Sequence, residues 1–144
     1  MKKKGIRVAL TVMACILLIG LLYHAFPSYK RRQKEYYGDM GNFITGEATV
    51  KNIIYSEEYN EIALWLYDTD PSYQTTNFRI KGNNVSIALE NGILDKVKIG
   101  DTITVTSAPR YFYNGYDMPI IGLSIGDTEI LNIETGHRNL MDMY

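Results

Sequence analysis

Apolar and polar residues alternate in several short stretches after residue 40, which is the pattern of strands that bury one face. In the first stretch the apolar positions include Ala48 and Val50, and the phase slips at Ile53 and Ile54, which predicts a bulge. In the second stretch both faces are apolar, which indicates a strand at the centre of a sheet. The predicted strands are 43–55, 61–67, 75–80, 102–107 and a fifth through Ile121, Leu123 and Ile125, with a further strand at 129–133.

The spacing of apolar residues changes between the third and fourth predicted strands. Val85, Ala88 and Leu89 are three and four residues apart, which places them on one stripe of a short helix. An asparagine at 83 or 84 is suited to begin this helix, and Gly92 is suited to end it in a left-handed conformation. The predicted order is three strands, a helix and two strands.

This order resembles the OB-fold, a small five-stranded barrel with a helix between its third and fourth strands. The fourth strand follows a turn made by Lys98, Ile99, Gly100 and Asp101, which adds to the likeness. The resemblance covers residues 43–126, and a β-sandwich is the rival architecture. The expected fold class is mainly β: a five-stranded OB-like barrel with one short helix, preceded by a single N-terminal transmembrane helix.

The transmembrane prediction comes from residues 8–26, nineteen residues without a formal charge. As a helix they would extend about 28 Å, close to the thickness of the hydrocarbon core of a bilayer. Two alternatives remain open. The first is a cleaved signal peptide, which the bulky Tyr23 near its expected cleavage site disfavours. The second is lipoprotein processing at Cys15, although eleven apolar residues would then follow the lipidated cysteine.

Charge divides the chain into a basic and an acidic part. Residues 1–38 hold eight basic residues and one acidic residue, whereas residues 39–144 hold seven basic and fifteen acidic residues, a formal charge of −8. The predicted organisation is a basic flank at 1–7, a transmembrane helix at 8–26, a basic juxtamembrane linker at 27–40 and an acidic OB-like domain at 41–144. The cationic linker is suited to anionic headgroups, so the lipid bilayer is an expected partner.

Orientation in the membrane is weakly determined, because Lys and Arg are equally numerous on the two sides of the apolar segment. A single N-terminal hydrophobic segment is nevertheless the usual signal for export. The expected location is the cell membrane, single-pass, with the domain outside the cytoplasm.

Aromatic residues are concentrated in the first two strands, their joining turn and a later hairpin. Asn114-Gly115 lies between two β-rich runs and predicts a two-residue turn, because both residues tolerate a positive φ. The resemblance to the OB-fold implies that these segments border a ligand groove, where aromatic rings can stack on sugars or bases. The alternative role is cross-strand pairing that stabilises the sheet. The candidate ligand- or partner-binding residues are Tyr59, Trp65, Tyr67, Tyr111, Tyr113 and Tyr116.

Motifs for catalysis or metal binding are absent from the sequence, which has one cysteine and two histidines. We therefore expect no catalytic residue, no metal site and no cofactor, and His137 is interpreted as a surface residue. The alternative is an envelope enzyme that uses acidic residues such as Glu57, Asp68 or Asp70.

The acidic charge also bears on the choice of partner. Oligonucleotide binding requires Lys and Arg to neutralise phosphates, and the domain has an excess of acids. The sequence therefore predicts a membrane-anchored, extracytoplasmic, non-catalytic binding or interaction domain of the cell envelope, with an envelope protein or a glycan as partner. A nucleic-acid-binding domain that faces the cytoplasm is the remaining alternative.

Overall fold

A computed structural model describes residues 2–25, 29–110 and 118–144, with side chains in the first range from residue 11 to residue 23. Five α-helices and six strands lie in these ranges, together with a 3-10 turn at Met40–Asn42. The helices are α1 Lys2–Ala25, α2 Tyr29–Gly38, α3 Asn83–Glu90, α4 Ile93–Lys96 and α5 Ile133–Met141. The strands are β1 Ile44–Ser56, β2 Glu61–Tyr67, β3 Asn77–Lys81, β4 Thr102–Ser107, β5 Met118–Ile125 and β6 Thr128–Leu131.

Five of the strands close into a ring. The sheet order is β3-β2-β1-β4-β5-β6, and β3 also pairs with β5, in parallel, at Phe78 with Met118 and Arg79 with Pro119. All the other strand pairs are antiparallel. The ring of β1 to β5 is consistent with the OB-type barrel that the order of elements predicted, and β6 extends the sheet beyond it.

The first strand is long enough to serve two neighbours. Its first half pairs with β4, from Ile44 opposite Ser107 to Thr49 opposite Thr102. Its second half pairs with β2, and the register shifts between Val50 and Asn52. The predicted irregularity in this strand therefore exists, at Lys51, two residues before Ile53, where the apolar phase appeared to slip. A bulge bends the strand, which allows one strand to belong to both sides of a small barrel.

Inward side chains of the ring form the main core. In β2 the alternate residues Ile62, Leu64 and Leu66 are fully buried, and in β3 the same is true of Phe78 and Ile80. The helix α3 adds further apolar side chains to this cluster. Gly82 precedes α3, where an asparagine cap was expected, while Gly92 has the predicted left-handed conformation with φ of 78°.

The predicted fold class is wrong in its helices. One short helix was expected in the domain, but the described residues also contain α2, α4 and α5 around the ring. The strand predicted at 129–133 ends at Leu131, and Ile133–Met141 beyond it forms α5. This helix begins at Asn132, whose side chain accepts hydrogen bonds from the backbone N–H groups of Glu134 and Thr135.

The predicted transmembrane helix at 8–26 is also contradicted. No helix in the described part of the chain is both long enough and apolar enough to cross a membrane.

A second apolar cluster lies outside the ring and joins two helices to it. It contains Tyr37 of α2, Leu140 of α5, and Ala108 and Ile121 from the barrel wall. Tyr37 is only 3% exposed. Residues 29–38, within the segment predicted as a basic linker, are therefore a helix packed against the domain.

Tyr73, in the loop between β2 and β3, ties the ends of two strands together. Its hydroxyl lies 3.0 Å from the carbonyl oxygen of Ile44 and 3.2 Å from that of Ser107, and its ring packs edge-on against Phe78. Burial raises the pKa of Tyr73 to about 12, and the negative charge of Asp70 adds to this rise. The neutral hydroxyl is thus the form that the fold favours.

Stability should fall at alkaline pH in a way that depends on Tyr73. The pKa of Tyr73 in the folded protein lies above its unfolded value of about 10. The contribution of the neutral Tyr73 hydroxyl to stability is therefore complete below pH 10 and disappears as the pH rises towards about 12. Tyr73→Phe should lower the free energy of unfolding by about 1 kcal/mol at pH 7. It should also reduce the loss of stability between pH 9 and pH 11, measured by urea denaturation. An equal alkaline loss in both proteins would contradict the assignment.

Candidate functional site

The outward surface of β1, β2 and β3 carries the exposed aromatic residues of the second strand. Side chains alternate between the two faces of a strand. Since Leu64 and Leu66 point into the core, Ala63, Trp65 and Tyr67 point outward. Trp65 and Tyr67 are each 44% exposed. Two large aromatic side chains therefore lie next to each other on a solvent-facing sheet.

The strand register defines the neighbours of these rings. Trp65 lies opposite Asn52 on β1 and opposite Asn77 on β3, while Ala63 lies opposite Ile54 and Arg79. Directly opposite residues share a face of the sheet. We call the set Ile54, Ala63, Trp65, Tyr67, Asn77 and Arg79 the Trp65 face.

Two polar atoms on β3 are buried without a hydrogen-bond partner. They are Oδ1 of Asn77 and Nη1 of Arg79. Arg79 Nε is 3.6 Å from a carboxylate oxygen of Glu61, whose other oxygen is 3.9 Å from Lys81 Nζ. Glu61 thus offsets part of the positive charge of this strand. It leaves one guanidinium nitrogen of Arg79 unused among the described residues.

The structure brings together only part of the predicted site. Trp65 and Tyr67 share one face, as the alternation in 61–67 predicted. Tyr59 is 69% exposed but belongs to the turn that precedes Glu61. This turn precedes the first residue of β2, whereas Tyr67 is the last residue of the strand. At 3.3 Å per residue the two ends of β2 are about 20 Å apart. Tyr59 therefore does not join the pair.

The remaining predicted residues lie outside the described residues. These are Tyr111, Tyr113 and Tyr116, together with the Asn114-Gly115 turn. The described chain stops at Arg110 and resumes at Met118, which pairs with Phe78. The prediction of a hairpin at this position stays a prediction.

Asn77 and Arg79 were missed by the sequence analysis, although a signal for them was present. In β3 the buried residues Phe78 and Ile80 alternate with Asn77, Arg79 and Lys81. The same alternation that placed Phe78 and Ile80 in the core assigns their neighbours to the outer face. What the sequence does not contain is the register that sets Asn77 beside Trp65.

The acidic residues considered for catalysis have structural contacts in the loops. The carboxylate of Asp70 accepts hydrogen bonds from the backbone N–H and the hydroxyl of Ser72. The hydroxyl bond and then the backbone bond hold the pKa of Asp70 below its ordinary value. Asp68 accepts a hydrogen bond of 3.2 Å from the hydroxyl of Thr49. Both carboxylates therefore help to shape the loop that follows β2.

His137, expected at the surface, is half-buried between α5 and α2. Its Nε2 is 2.7 Å from the carbonyl oxygen of Tyr37, and its ring packs edge-on against Phe43. A carbonyl oxygen only accepts, so Nε2 carries the proton and donates. This histidine connects the two outer helices.

A small cavity lies on a different part of the barrel wall. It has a volume of about 80 Å³ and is lined by Thr45, Thr104, Thr106, Glu129 and five neighbouring residues of β5, β6 and α5. The cavity is large enough to hold water.

Among the residues that the structure describes, no group of three or more His, Cys, Asp or Glu side chains is arranged to hold a metal ion.

Comparison of the chain with protein-family models, with curated proteins and with solved structures finds no match. The ring of five strands and the Trp65 face are therefore the observations from which a function is argued.

Proposed function

We propose that this chain is a non-catalytic binding domain of the cell envelope and that the Trp65 face is its contact surface. The proposed partner is an envelope protein or a glycan. The observation that carries the proposal is the exposure of Trp65 and Tyr67, side by side, on a domain whose core is filled by other residues. The position of the domain outside the cytoplasm stays a prediction from the sequence.

The alternative role for these rings is cross-strand aromatic pairing. The registers of β2 with β1 and β3 do not support it. The residues directly opposite Trp65 are Asn52 and Asn77, and the residue opposite Tyr67 is Thr49. None of these has an aromatic ring or a large apolar side chain. Truncation of Tyr67 is therefore expected to affect a bound partner more than the fold.

The composition of the face also fits a binding surface. Contact surfaces and ligand sites combine aromatic side chains with a few polar groups that fix orientation. Here Trp65 and Tyr67 supply apolar area, while the partly buried side chains of Asn77 and Arg79 add polar groups. Aromatic residues and arginine are also the residue types that most often dominate binding energies.

Trp65 is the only tryptophan of the chain, so its fluorescence reports directly on the proposed surface. The full-length protein should be titrated with four kinds of probe: neutral hexasaccharides, a twelve-nucleotide single-stranded DNA, peptides from envelope proteins and phospholipid vesicles. We expect a saturable change in Trp65 emission with the hexasaccharides or with the peptides. No saturable change with either of these, or a change with the DNA or the vesicles alone, would overturn the proposal.

The effect of Tyr67→Ala then tests whether the same face is responsible. Stacking on an aromatic ring contributes about 1–3 kcal/mol, so affinity should fall about tenfold while the urea midpoint changes little. Leu94→Ala, which truncates a half-exposed side chain on α4, is the control and should leave affinity unchanged. Mass spectrometry of the bound probe after incubation separates binding from catalysis, because an altered mass would favour the enzyme alternative.

A further inference from the structure

We infer that two copies of this chain associate through the second half of β1, which pairs with itself in an antiparallel register centred on Ile54. The inference goes beyond the proposed function, and it does not depend on which ligand the Trp65 face binds.

The second half of β1 has one edge without a neighbouring strand in the described part of the chain. β1 pairs with β4 only from Ile44 to Thr49. Val50 then bonds to the turn before β4, because its N–H donates to the carbonyl of Asp101 and its carbonyl accepts from the N–H of Gly100. Beyond this turn, residues 52–56 pair with β2 alone. An unprotected strand edge is a template on which another strand can pair.

The main-chain groups of Ile53 and Tyr55 point towards this edge. The N–H of Ile53 donates over 3.0 Å to Oδ1 of Asn52, the side chain just before it, and not to β2. In an antiparallel ladder the main-chain groups of successive residues point to alternate edges, so those of Tyr55 share the direction of Ile53. Among the described residues, no strand pairs with Ile53 or Tyr55 at this edge. The edge therefore offers main-chain donors and acceptors to a second strand.

Antiparallel self-pairing centred on Ile54 gives favourable neighbours along the strand. Ile54 lies opposite Ile54 of the second copy, and Ile53 lies opposite Tyr55 of the second copy. Pairs of β-branched and aromatic side chains stabilise a sheet when they are directly opposite each other. Ile53 and Tyr55 can also exchange N–H···O=C bonds in both directions, since both face this edge. The carbonyl of Tyr55 from the second copy then replaces the Asn52 side chain as the acceptor for Ile53.

Charge complementarity continues the match at both ends of the paired segment. The same register places Lys51 opposite Glu57 of the second copy, and the twofold symmetry repeats this pair. Both side chains are exposed, and neither forms an ion pair within the described part of the chain. A register shifted by two residues would place Lys51 opposite Tyr55, or Glu57 opposite Ile53, and would lose the attraction. The segment 51–57 is thus complementary to itself in one register, which favours a second copy over an unrelated extended peptide.

The length of the free edge limits the strength of the association. The turn of residues 98–101 closes the edge at Val50, so main-chain pairing is confined to residues 52–56. Ile99 in this turn is 68% exposed, and the antiparallel arrangement brings the hairpin turn of the second copy, with its 69% exposed Tyr59, to the same end of the interface. Interfaces of small area are typically weak and transient. We therefore expect a reversible dimer.

The dimer would bring two binding surfaces together. A twofold axis perpendicular to the sheet relates the two strands, so the outer faces of both copies lie on the same side of one continuous sheet. The Trp65 faces of the two copies would then be neighbours and could bind a repetitive partner at two points, which raises the overall affinity. The contact uses the same edge in both copies and leaves it unavailable to a third, so the assembly stops at two.

Disulfide cross-linking of the full-length protein tests the register. In a Cys15→Ser background, which removes the natural cysteine, Ile54→Cys should give a disulfide-linked dimer under mild oxidation. The two Cα atoms would form a non-hydrogen-bonded pair about 4.5 Å apart, within the range of a disulfide. Tyr55→Cys should cross-link several times more slowly, because its Cα atoms would be about 8 Å apart. Thr128→Cys, at an exposed site on β6 at the other edge of the sheet, measures the rate of random collision.

Exchange of charges tests the second part of the register in the same Ile54→Cys background. Lys51→Glu should lower the rate of dimer formation about 2- to 10-fold, because it replaces two attractive pairs by two repulsive ones. Adding Glu57→Lys should restore the rate with the two charges exchanged. Adding Glu134→Lys, at an exposed site on α5, restores only the net charge and should not rescue the dimer.

Two results would overturn the inference. The first is an equal rate of cross-linking for Ile54→Cys and Thr128→Cys, which would leave the edge of β1 to an extended peptide or to no partner. The second is a Lys51→Glu defect that Glu134→Lys rescues as well as Glu57→Lys does, since net charge alone would then govern the association. Neither result affects the Trp65 face as a contact surface, which the titrations of Trp65 emission test separately.

Discussion

Replacing Gly136 by alanine should lower the free energy of unfolding by about 3 kcal/mol or more, the largest effect that we expect from a single added methyl group. In most helices the change from glycine to alanine is favourable by about 1 kcal/mol. Gly136 lies within α5, but a Cβ atom at this position would overlap the backbone carbonyl of Ile121 on β5. Because backbone atoms cannot move aside as a flexible side chain does, the helix itself must shift.

The shift would break contacts on both sides of α5. The carbonyl oxygen of Gly136 accepts a hydrogen bond of 2.9 Å from the side chain of Asn84, which is 2% exposed. On the barrel side, Gly122 also lies close to α5, since a Cβ there would be 2.5 Å from the side-chain atom Cγ1 of Ile133. His137, which follows Gly136 in α5, connects this helix to the end of α2. A displaced α5 would therefore loosen its contacts with α3, β5 and α2 together.

Urea denaturation of the full-length variants measures this effect. Gly46→Ala is the control, because a Cβ at this position on β1 has no atom within 4 Å. It should be neutral or stabilise the protein by up to about 1 kcal/mol, by restricting the unfolded chain. Equal stabilities for the two variants would show that α5 does not pack this closely against β5.

The ring of strands could be predicted because its signal is local. Each strand of the barrel buries one face, so apolar residues recur at every second position, and the short helix between β3 and β4 shows its own spacing. Val50 and Ile103 show this pattern clearly, and both are buried. The Gly100-Asp101 turn could be predicted as well, and in the structure Asp101 accepts a hydrogen bond from the backbone N–H of Lys98.

The outer helices could not be assigned from the sequence because their signals depend on tertiary contacts. Gly136 in the middle of a nine-residue segment normally disfavours a helix, and only the close approach to Ile121 explains its presence. The charged residues of α2 led to its interpretation as part of a basic juxtamembrane linker. The residues at the helical spacing of Gln33, Tyr36 and Tyr37 face the domain, and Tyr37 is buried there.

The candidate site could likewise be predicted only in part from the sequence. Trp65 and Tyr67 could be assigned to one face from their spacing on a strand. Tyr59 lies in the turn at the other end of β2, because proximity along the chain at a hairpin does not mean proximity on the sheet surface. Asn77 and Arg79 required the register between β2 and β3, which results from the packing of the whole ring.

The second large effect should come from Leu64→Ala, with a loss of about 2–5 kcal/mol. Leu64 is fully buried near the middle of β2, directly opposite Ile53 on β1 and Phe78 on β3. Truncation removes apolar contacts and leaves a cavity inside a closed ring. The paired strands on either side limit how far the ring can collapse to fill that cavity, so a value in the upper part of this range is expected.

Leu94→Ala is the matched control for Leu64→Ala, because Leu94 lies on α4 and is 39% exposed. Its truncation removes less buried area and opens no enclosed cavity, so we expect a loss below about 1 kcal/mol. Urea denaturation followed by Trp65 emission and by far-ultraviolet circular dichroism should give coincident transitions, as a cooperative ring of strands requires. A loss below about 0.5 kcal/mol for Leu64→Ala would place this side chain outside the core. It would then reverse the faces of β2, and Trp65 and Tyr67 would point inward instead of forming a binding surface.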